Sequence, residues 1–240
     1  MKSIISIIMW VWGLTLLLLM LIIINLLMFI PGKSYDPISK WMARNVLKLM
    51  RIKINVKYSG EFDSKGTYLY MSNHANMLDP LLLYGHLPNF VRAIELSDHF
   101  SWPIYGWTLR RMGHIPIDNQ NASSAMKSLR KAAELLQKGI SVIILPEGQR
   151  TRDGKLSSFK RGSFILAKDG GRDIIPVAIS GGWEITHRGS WLVSPGKMTL
   201  RIGEPIREHS FRDLSTGELR DLCKKRVEEL LDENNETVRD

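Results

Sequence analysis

His74 and Asp79 are the first pair in the sequence spaced to move a proton. An imidazole titrates near neutral pH. A carboxylate five positions on, across a strand-to-helix turn, can hold one ring nitrogen and leave the other as a base. That is two thirds of a Ser-His-Asp triad, without a protein nucleophile. Plainer uses exist for both residues. Asp79 precedes Pro80 and fits the N-cap of a helix through Tyr84, and His74 fits an ordinary loop histidine.

A second constellation is LPEGQR at residues 145–150. Pro146 and Gly148 shape a turn there. Glu147 and Arg150 put one charge of each sign on it. Arg152, Lys160 and Arg161 follow, with Gly162 at a helical start. Free N–H groups at a helix start, together with these cations, suit a phosphate. A solvated surface loop is the alternative. A third group is GHIPID at residues 113–118, a glycine and a short strand ending in Asp118. It fits the wall of a substrate pocket and a structural turn equally well. The apolar run WPIYGW, residues 102–107, fits the lining of an apolar channel or plain core packing.

These residues need a scaffold, and the pattern after Arg51 supplies one. Ile52, Ile54, Val56 and Tyr58 alternate as in a half-buried strand. Residues 67–72, 90–94 and 114–117 are further strands, and SVIIL (141–145) and IIPVAIS (174–180) have the length of buried ones. Residues 198–202 read as an edge strand. Helices are expected over 121–138, 160–168 and 216–231. Alternation of this kind predicts an α/β fold, a mixed, largely parallel sheet flanked by helices. The first two constellations then follow strands. In such sheets, ligands bind beyond the carboxyl ends of the strands.

Ahead of this domain lies a different chemistry. Residues 3–30 carry no charge. Those 28 residues would run about 42 Å as a helix, and a bilayer core of about 30 Å needs roughly 20. Residues 31–60 then hold seven Lys/Arg and one acid, Asp36. Lys40, Arg44 and Lys48 recur every fourth residue after Asp36-Pro37, which predicts a basic amphipathic helix over 37–50 suited to an anionic leaflet. The expected organisation is a membrane-associated two-helix segment over 1–50 and a cytoplasmic domain over 51–240. Whether the first helix spans the bilayer or packs back in one leaflet stays open. The basic flank favours the cytoplasmic face of the cytoplasmic membrane.

The ordered set of constellations resembles the glycerolipid acyltransferases, specifically 1-acylglycerol-3-phosphate acyltransferases. The family's H-x-x-x-x-D is met by His74 and Asp79. Its G-x-I-x-I-D-R is similar to residues 113–119, and its F-P-E-G-T-R to 145–150. An F-K-x-G segment is matched by Phe159-Lys160-Arg161-Gly162, and a Pro-containing apolar strand by 174–177. Departures are Leu145, Gln149, and Asn119 where the family has Arg. A Lys before the family's E-L pair is also missing, and Arg92 stands nearest to replace it.

The resemblance implies acyl transfer from an acyl carrier protein or coenzyme A thioester to the 2-hydroxyl of 1-acylglycerol 3-phosphate. His74 would be the general base and Asp79 its orienting partner. Glu147, Gly148, Arg150, Lys160, Arg161 and Asp118 would bind substrate, with Glu147 bridging to Arg150 or to the glycerol. No cofactor is implied beyond the thioester co-substrate, and no metal. The membrane itself is the lipid partner. Other acceptors, glycerol 3-phosphate or a lyso-aminolipid, remain open. So do a non-catalytic anionic-lipid adaptor and a metallohydrolase using His74, Asp79, His86 or His99.

Composition narrows the field further. The chain has 240 residues, 33 Lys+Arg against 24 Asp+Glu, and a single cysteine, Cys223. One cysteine excludes an internal disulfide framework and a cysteine zinc cluster. The net charge is +9, of which residues 1–60 carry +7. The basic pI near 9.7 therefore describes the N-terminal segment. It is not a basic stripe with interleaved aromatics, so nucleic acid is not an expected partner.

Overall fold

The apolar runs become the centre of one sheet. The computed structural model describes residues 2–29 and 35–236, with side chains through 232. Ile30, Lys33 and positions 237–240 of the expected segments lie outside the described residues. The strands are β1 (Ile52–Tyr58), β2 (Leu69–Ser72), β3 (Val91–Leu96), β4 (Ile115–Ile117), β5 (Ser141–Ile144), β6 (Ile174–Ser180) and β7 (Gly196–Ile202). Their order is β1-β7-β6-β2-β5-β3-β4. All neighbours pair parallel except β6 and β7. The expected fold class is therefore present.

One expectation about the sheet fails. Residues 198–202 are not an edge. β7 lies between β1 and β6, and β1 is the edge. Pro176 is tolerated inside β6 because it falls where the strand's partner changes from β7 to the bridge at Ile206.

The helices are α1 (Lys2–Leu27), α2 (Tyr35–Leu49), α3 (Asp79–His86), α4 (Tyr105–Met112), α5 (Ala122–Gln137), α6 (Gly162–Gly170), α7 (Gly182–Ile185), α8 (Glu208–Phe211) and α9 (Thr216–Glu236). Strand side chains alternate between two cores. Tyr68, Tyr70, Ile175, Val177 and Ile179 face one core with residues of α1, α2 and α3. Leu69, Met71, Val142, Ile144 and Ile174 face the other with residues of α5, α6 and α9. Leu47 and Leu82 are fully buried in the first. Each contributes about 2–3 kcal/mol by burial. Residues of α1 and α2 and of the sheet thus share a core.

The basic helix also departs from expectation. Lys40 does not face a leaflet. It is buried, its ammonium donates to the carbonyl oxygens of Leu87 (2.9 Å) and Asn89, and it pairs with Asp36 at 3.4 Å. Arg44 donates to the Gly85 carbonyl at 2.6 Å. These two cations close the C-terminus of α3, where carbonyls lack helical partners and the helix dipole favours positive charge. Asp36 accepts from the Tyr84 hydroxyl at 3.0 Å. α2 exposes the apolar Ile38, Trp41 and Leu49 together with the cations Arg44 and Lys48.

α1 runs antiparallel to α2, with the Trp12 indole donating to the Leu49 carbonyl at 3.2 Å. Both of its ends are tied to the domain. Ser6 exchanges hydrogen bonds with the backbone of Val193, and the Asn25 amide donates to the Thr108 hydroxyl at 2.6 Å. Its outer face is open and apolar, including Ile8, Val11, Leu14 and Leu18.

Candidate active site

Because β2, β3, β4, β5 and β6 run parallel, their carboxyl ends share one edge of the sheet. The loops after β2, β4, β5 and β6 therefore emerge together, and three of them carry the sequence constellations. This follows from topology alone.

The loop after β2 is built around Asp79. Asn73 continues the ladder with its side chain, accepting from the Ile179 N–H at 2.8 Å and donating to the Ile179 carbonyl at 2.9 Å. His74 follows. Its ring Nδ1 lies 2.9 Å from Asp79 Oδ2. The same oxygen accepts the N–H groups of Ala75 and Asn76, both at 2.8 Å. Asp79 Oδ1 is buried with no hydrogen-bond partner among the described residues. Asp79 is not the side-chain cap expected from Asp-Pro. It is the first residue of α3, and its carboxylate turns back to the preceding loop. The helix N-terminus still favours its charge.

An ionised carboxylate only accepts, so in the neutral ring that this contact favours Nδ1 of His74 holds the proton and Nε2 the lone pair. The His74 side chain keeps 16% of its surface exposed while that of Asp79 keeps none. The pair thus has one wet end and one dry end. The wet nitrogen is the one free to act as a base.

The loop after β5 grips His74 from the other side. Glu147 Oε1 accepts the His74 N–H at 2.7 Å, and Oε2 accepts the Ser157 N–H at 2.8 Å. The His74 carbonyl accepts the Thr151 N–H at 2.9 Å. Burial pushes the Glu147 carboxyl above its ordinary pKa, opposed by these two N–H donors. Glu147 therefore does not bridge to Arg150. Both its oxygens are spent on backbone, and it acts as a clamp between the two loops.

Gly148 adopts φ 70°, and Lys160 lies across it so closely that a Cβ would fall 2.6 Å from the ammonium. Only glycine fits both the turn and the contact. The Gly148 carbonyl accepts from Asn119 at 3.0 Å. Arg150 is half-buried and makes no hydrogen bond or ion pair among the described residues, and the same holds for the Lys160 ammonium. Two uncompensated cations therefore stand on this loop.

A scan against family models matches residues 53–180 to the acyltransferase family. That is just over half of the chain. The chain belongs to the acyltransferase family. Among curated relatives, a chloroplastic 1-acyl-sn-glycerol-3-phosphate acyltransferase of Arabidopsis thaliana is 35% identical over 156 residues, covering 64% of this chain and 44% of the relative. The enzyme of that name from Saccharomyces cerevisiae is 26% identical over 220 residues, 88% of this chain and 72% of the relative. The chain spans less than half the length of the first plant relatives it matches, 44% and 40%. Among solved structures, the 1-acyl-sn-glycerophosphate (LPA) acyltransferase PlsC of Thermotoga maritima has the same fold, with a TM-score of 0.86, 23% identity and 98% of each chain covered.

Within this chain, not every residue singled out in the sequence reaches the edge of the sheet with a free side chain. Arg161 donates to the Thr216 hydroxyl at 3.2 Å and is drawn towards α9. Asp118 accepts the Gln120 N–H at 2.8 Å and shapes its own turn. Arg92 does not replace the missing Lys. It is buried, donates to the Tyr35 hydroxyl at 2.6 Å, and stacks on Phe90 at 3.9 Å. His114 accepts the Ala93 N–H at Nδ1 (2.9 Å), tying the start of β4 to β3. The 102–107 run is not core at its ends, since Trp102 and Trp107 are exposed. His86 and His99 are engaged elsewhere, with the Leu82 carbonyl and with Glu95.

Sequence reasoning missed two contributors. Asn76 accepts the Leu78 N–H and donates to the carbonyls of Thr186 (2.9 Å) and Gly182, locking the loop after β6 to the His74 loop. Arg188, on that same loop, donates to the Gln149 side-chain oxygen at 3.0 Å. Asn76 stood inside the H-x-x-x-x-D segment, two residues from His74, which was the available signal. Arg188 had none. An apolar crevice lined by Met9, Trp10, Met50, Met77, Leu78 and Val193 lies beside the His74 loop.

Proposed function

We propose that the protein transfers an acyl group from an acyl carrier protein or coenzyme A thioester to the 2-hydroxyl of 1-acylglycerol 3-phosphate, giving phosphatidate. The observation that carries this is the His74–Asp79 pair, with Nδ1 held at 2.9 Å, beside a loop bearing unpaired cations. The names of the relatives support the same acceptor.

In this reading Nε2 of His74 takes the proton of the 2-hydroxyl as that oxygen bonds to the thioester carbonyl carbon. Asp79 stabilises the resulting imidazolium. The tetrahedral intermediate then expels the thiolate, which takes the proton from Nε2. No acyl-enzyme is involved. Cys223 is wholly buried on α9, where burial pushes its thiol up to about 12, and no G-x-S-x-G elbow is present. General-base action supplies about 10²–10⁴-fold. Positioning of the two substrates supplies much of the rest. Arg150 and Lys160 are the cations proposed to hold the acceptor's phosphate, and Gly148 lets Lys160 cross the loop.

The membrane completes the reading. α1 is long and apolar enough to cross a bilayer, yet both of its ends are bonded to the domain. We take it to lie in one leaflet with α2, on the cytoplasmic face of the cytoplasmic membrane. Its outer apolar face and the exposed Trp12, Trp41, Trp102, Trp107 and Trp191 would enter the lipid. The crevice beside His74 then admits acyl chains from the membrane side. Residues 1–50 serve as the anchor and 51–240 as the catalytic part.

The test is an assay crossing lysophosphatidate, glycerol 3-phosphate and a lyso-aminolipid with carrier-protein and coenzyme A donors. Phosphatidate formed from lysophosphatidate with either donor supports the reading. Transfer confined to another acceptor overturns it.

A further inference from the structure

We infer that Arg188 is a third phosphate-binding cation of the acceptor site, brought in by the loop after β6. This rests on the acceptor proposed above and names a residue that no sequence pattern singled out.

Three observations converge on it. First, the guanidinium is oriented without being neutralised. Its partner is the Gln149 side-chain oxygen at 3.0 Å, an uncharged acceptor, and no carboxylate pairs with Arg188 among the described residues. Its remaining N–H groups stay available for the planar, two-point contact that guanidinium makes with phosphate.

Second, the loop that carries it is braced. Gly181 enters at φ 79° with the Lys197 carbonyl only 2.1 Å from where a Cβ would sit, so no other residue makes this turn. Trp183 stacks on His187 at 4.5 Å between ring centroids and lies against Gly154 of the loop after β5. The Thr186 carbonyl is held by Asn76 of the His74 loop at 2.9 Å. Arg188 is therefore fixed to both sides of the site, and little rotamer freedom is lost when an anion binds.

Third, its position completes a cluster. Gln149 stands between Gly148, which Lys160 crosses, and Arg150, and the next residue, Thr151, bonds the His74 carbonyl at 2.9 Å. Lys160 touches Gly148, Arg188 binds Gln149 and Arg150 follows, so all three cations attach to one short segment of the loop that grips His74. Glu147 accepts two backbone N–H groups and Asp153 accepts from Thr151 and Lys155, and neither forms an ion pair with these cations among the described residues. A dianionic phosphomonoester matches such a cluster.

The acyl donor also carries phosphate, so the test separates the two sources. Arg188→Gln and Arg188→Lys are assayed in full-length protein with lysophosphatidate and acyl thioester varied in turn. The expected result for R188Q is a tenfold to hundredfold rise in KM for lysophosphatidate, with kcat and donor KM within about twofold. R188K should recover part of the loss. An unchanged acceptor KM, a rise confined to the donor KM, or a fall in kcat alone overturns the assignment. Equilibrium binding of lysophosphatidate and of 1-monoacylglycerol reads the same contact without turnover. R188Q should weaken the first and spare the second, even if the wild-type protein proves to acylate something else. Equal weakening of both also overturns it.

Discussion

Asp79 serves three donors with one oxygen and none with the other. Its burial is sustained by the His74 ring, two backbone N–H groups and the start of α3. An isosteric change separates its roles. Asp79→Asn keeps an oxygen for the backbone donors but removes the charge that stabilises an imidazolium. Its kcat should fall by about 10²–10⁴ with a small change in urea midpoint. Asp79→Ala strands two backbone donors and should lose about 2–4 kcal/mol as well. If Asp79→Asn retains kcat, the carboxylate does no more than shape the loop. The pair was legible in the sequence because its five-residue spacing across a strand-to-helix turn is local. Glu147 was legible as a site residue but not as a clamp. A Glu three residues from an Arg looks the same in sequence whether it meets that Arg or two distant N–H groups.

Elements were legible where one face of the pattern decided burial. SVIIL and IIPVAIS are apolar throughout because β5 and β6 are covered on both faces. Residues 198–202 alternate, which suggests an edge, but pairing with β1 depends on a segment about 140 positions away. The Lys40-Arg44 repeat failed for a similar reason. A four-residue period fixes a shared face of α2 but not what that face meets, and it meets the carbonyl end of α3. His114 illustrates the same point with a pH signature. Burial pushes its imidazole down to about 3, with the Arg92 charge adding to the effect. The unfolded chain takes up that proton below about 6.5, while the folded chain resists until about 3. Stability should therefore fall as pH drops through that window. His114→Asn keeps an acceptor for the Ala93 N–H and removes the titration. The stability difference between wild type and variant should narrow as pH falls from 6.5 to 4, read by urea midpoints. A pH-independent difference contradicts the assignment.

For the whole molecule, the +7 carried by residues 1–60 proved to be divided. Lys40 and Arg44 close α3 within the fold, whereas Lys48, Arg51 and Lys53 remain exposed. The larger membrane signal is apolar. Deleting residues 1–50 would strip Ala43, Val46 and Leu47 from the core, so truncation confounds anchoring with unfolding. Substitutions on the outer face of α1 avoid this. Ile8→Ser, Val11→Ser and Leu18→Ser together should weaken partition into anionic vesicles at least tenfold, since each removes about 1–2 kcal/mol of apolar burial in lipid, and leave the thermal midpoint of the detergent-solubilised protein unchanged. Vesicle binding at the wild-type level would show that this face is not the anchor.

All three scales meet at His74, whose backbone is gripped by Glu147 and Thr151 and whose ring is held by Asp79. The most direct measurement is phosphatidate formation from an acyl thioester and lysophosphatidate by purified full-length protein and His74→Ala. The account predicts robust transfer by the first and a loss of at least about 100-fold in kcat by the second, with the fold intact by circular dichroism. Near wild-type turnover by His74→Ala would contradict it.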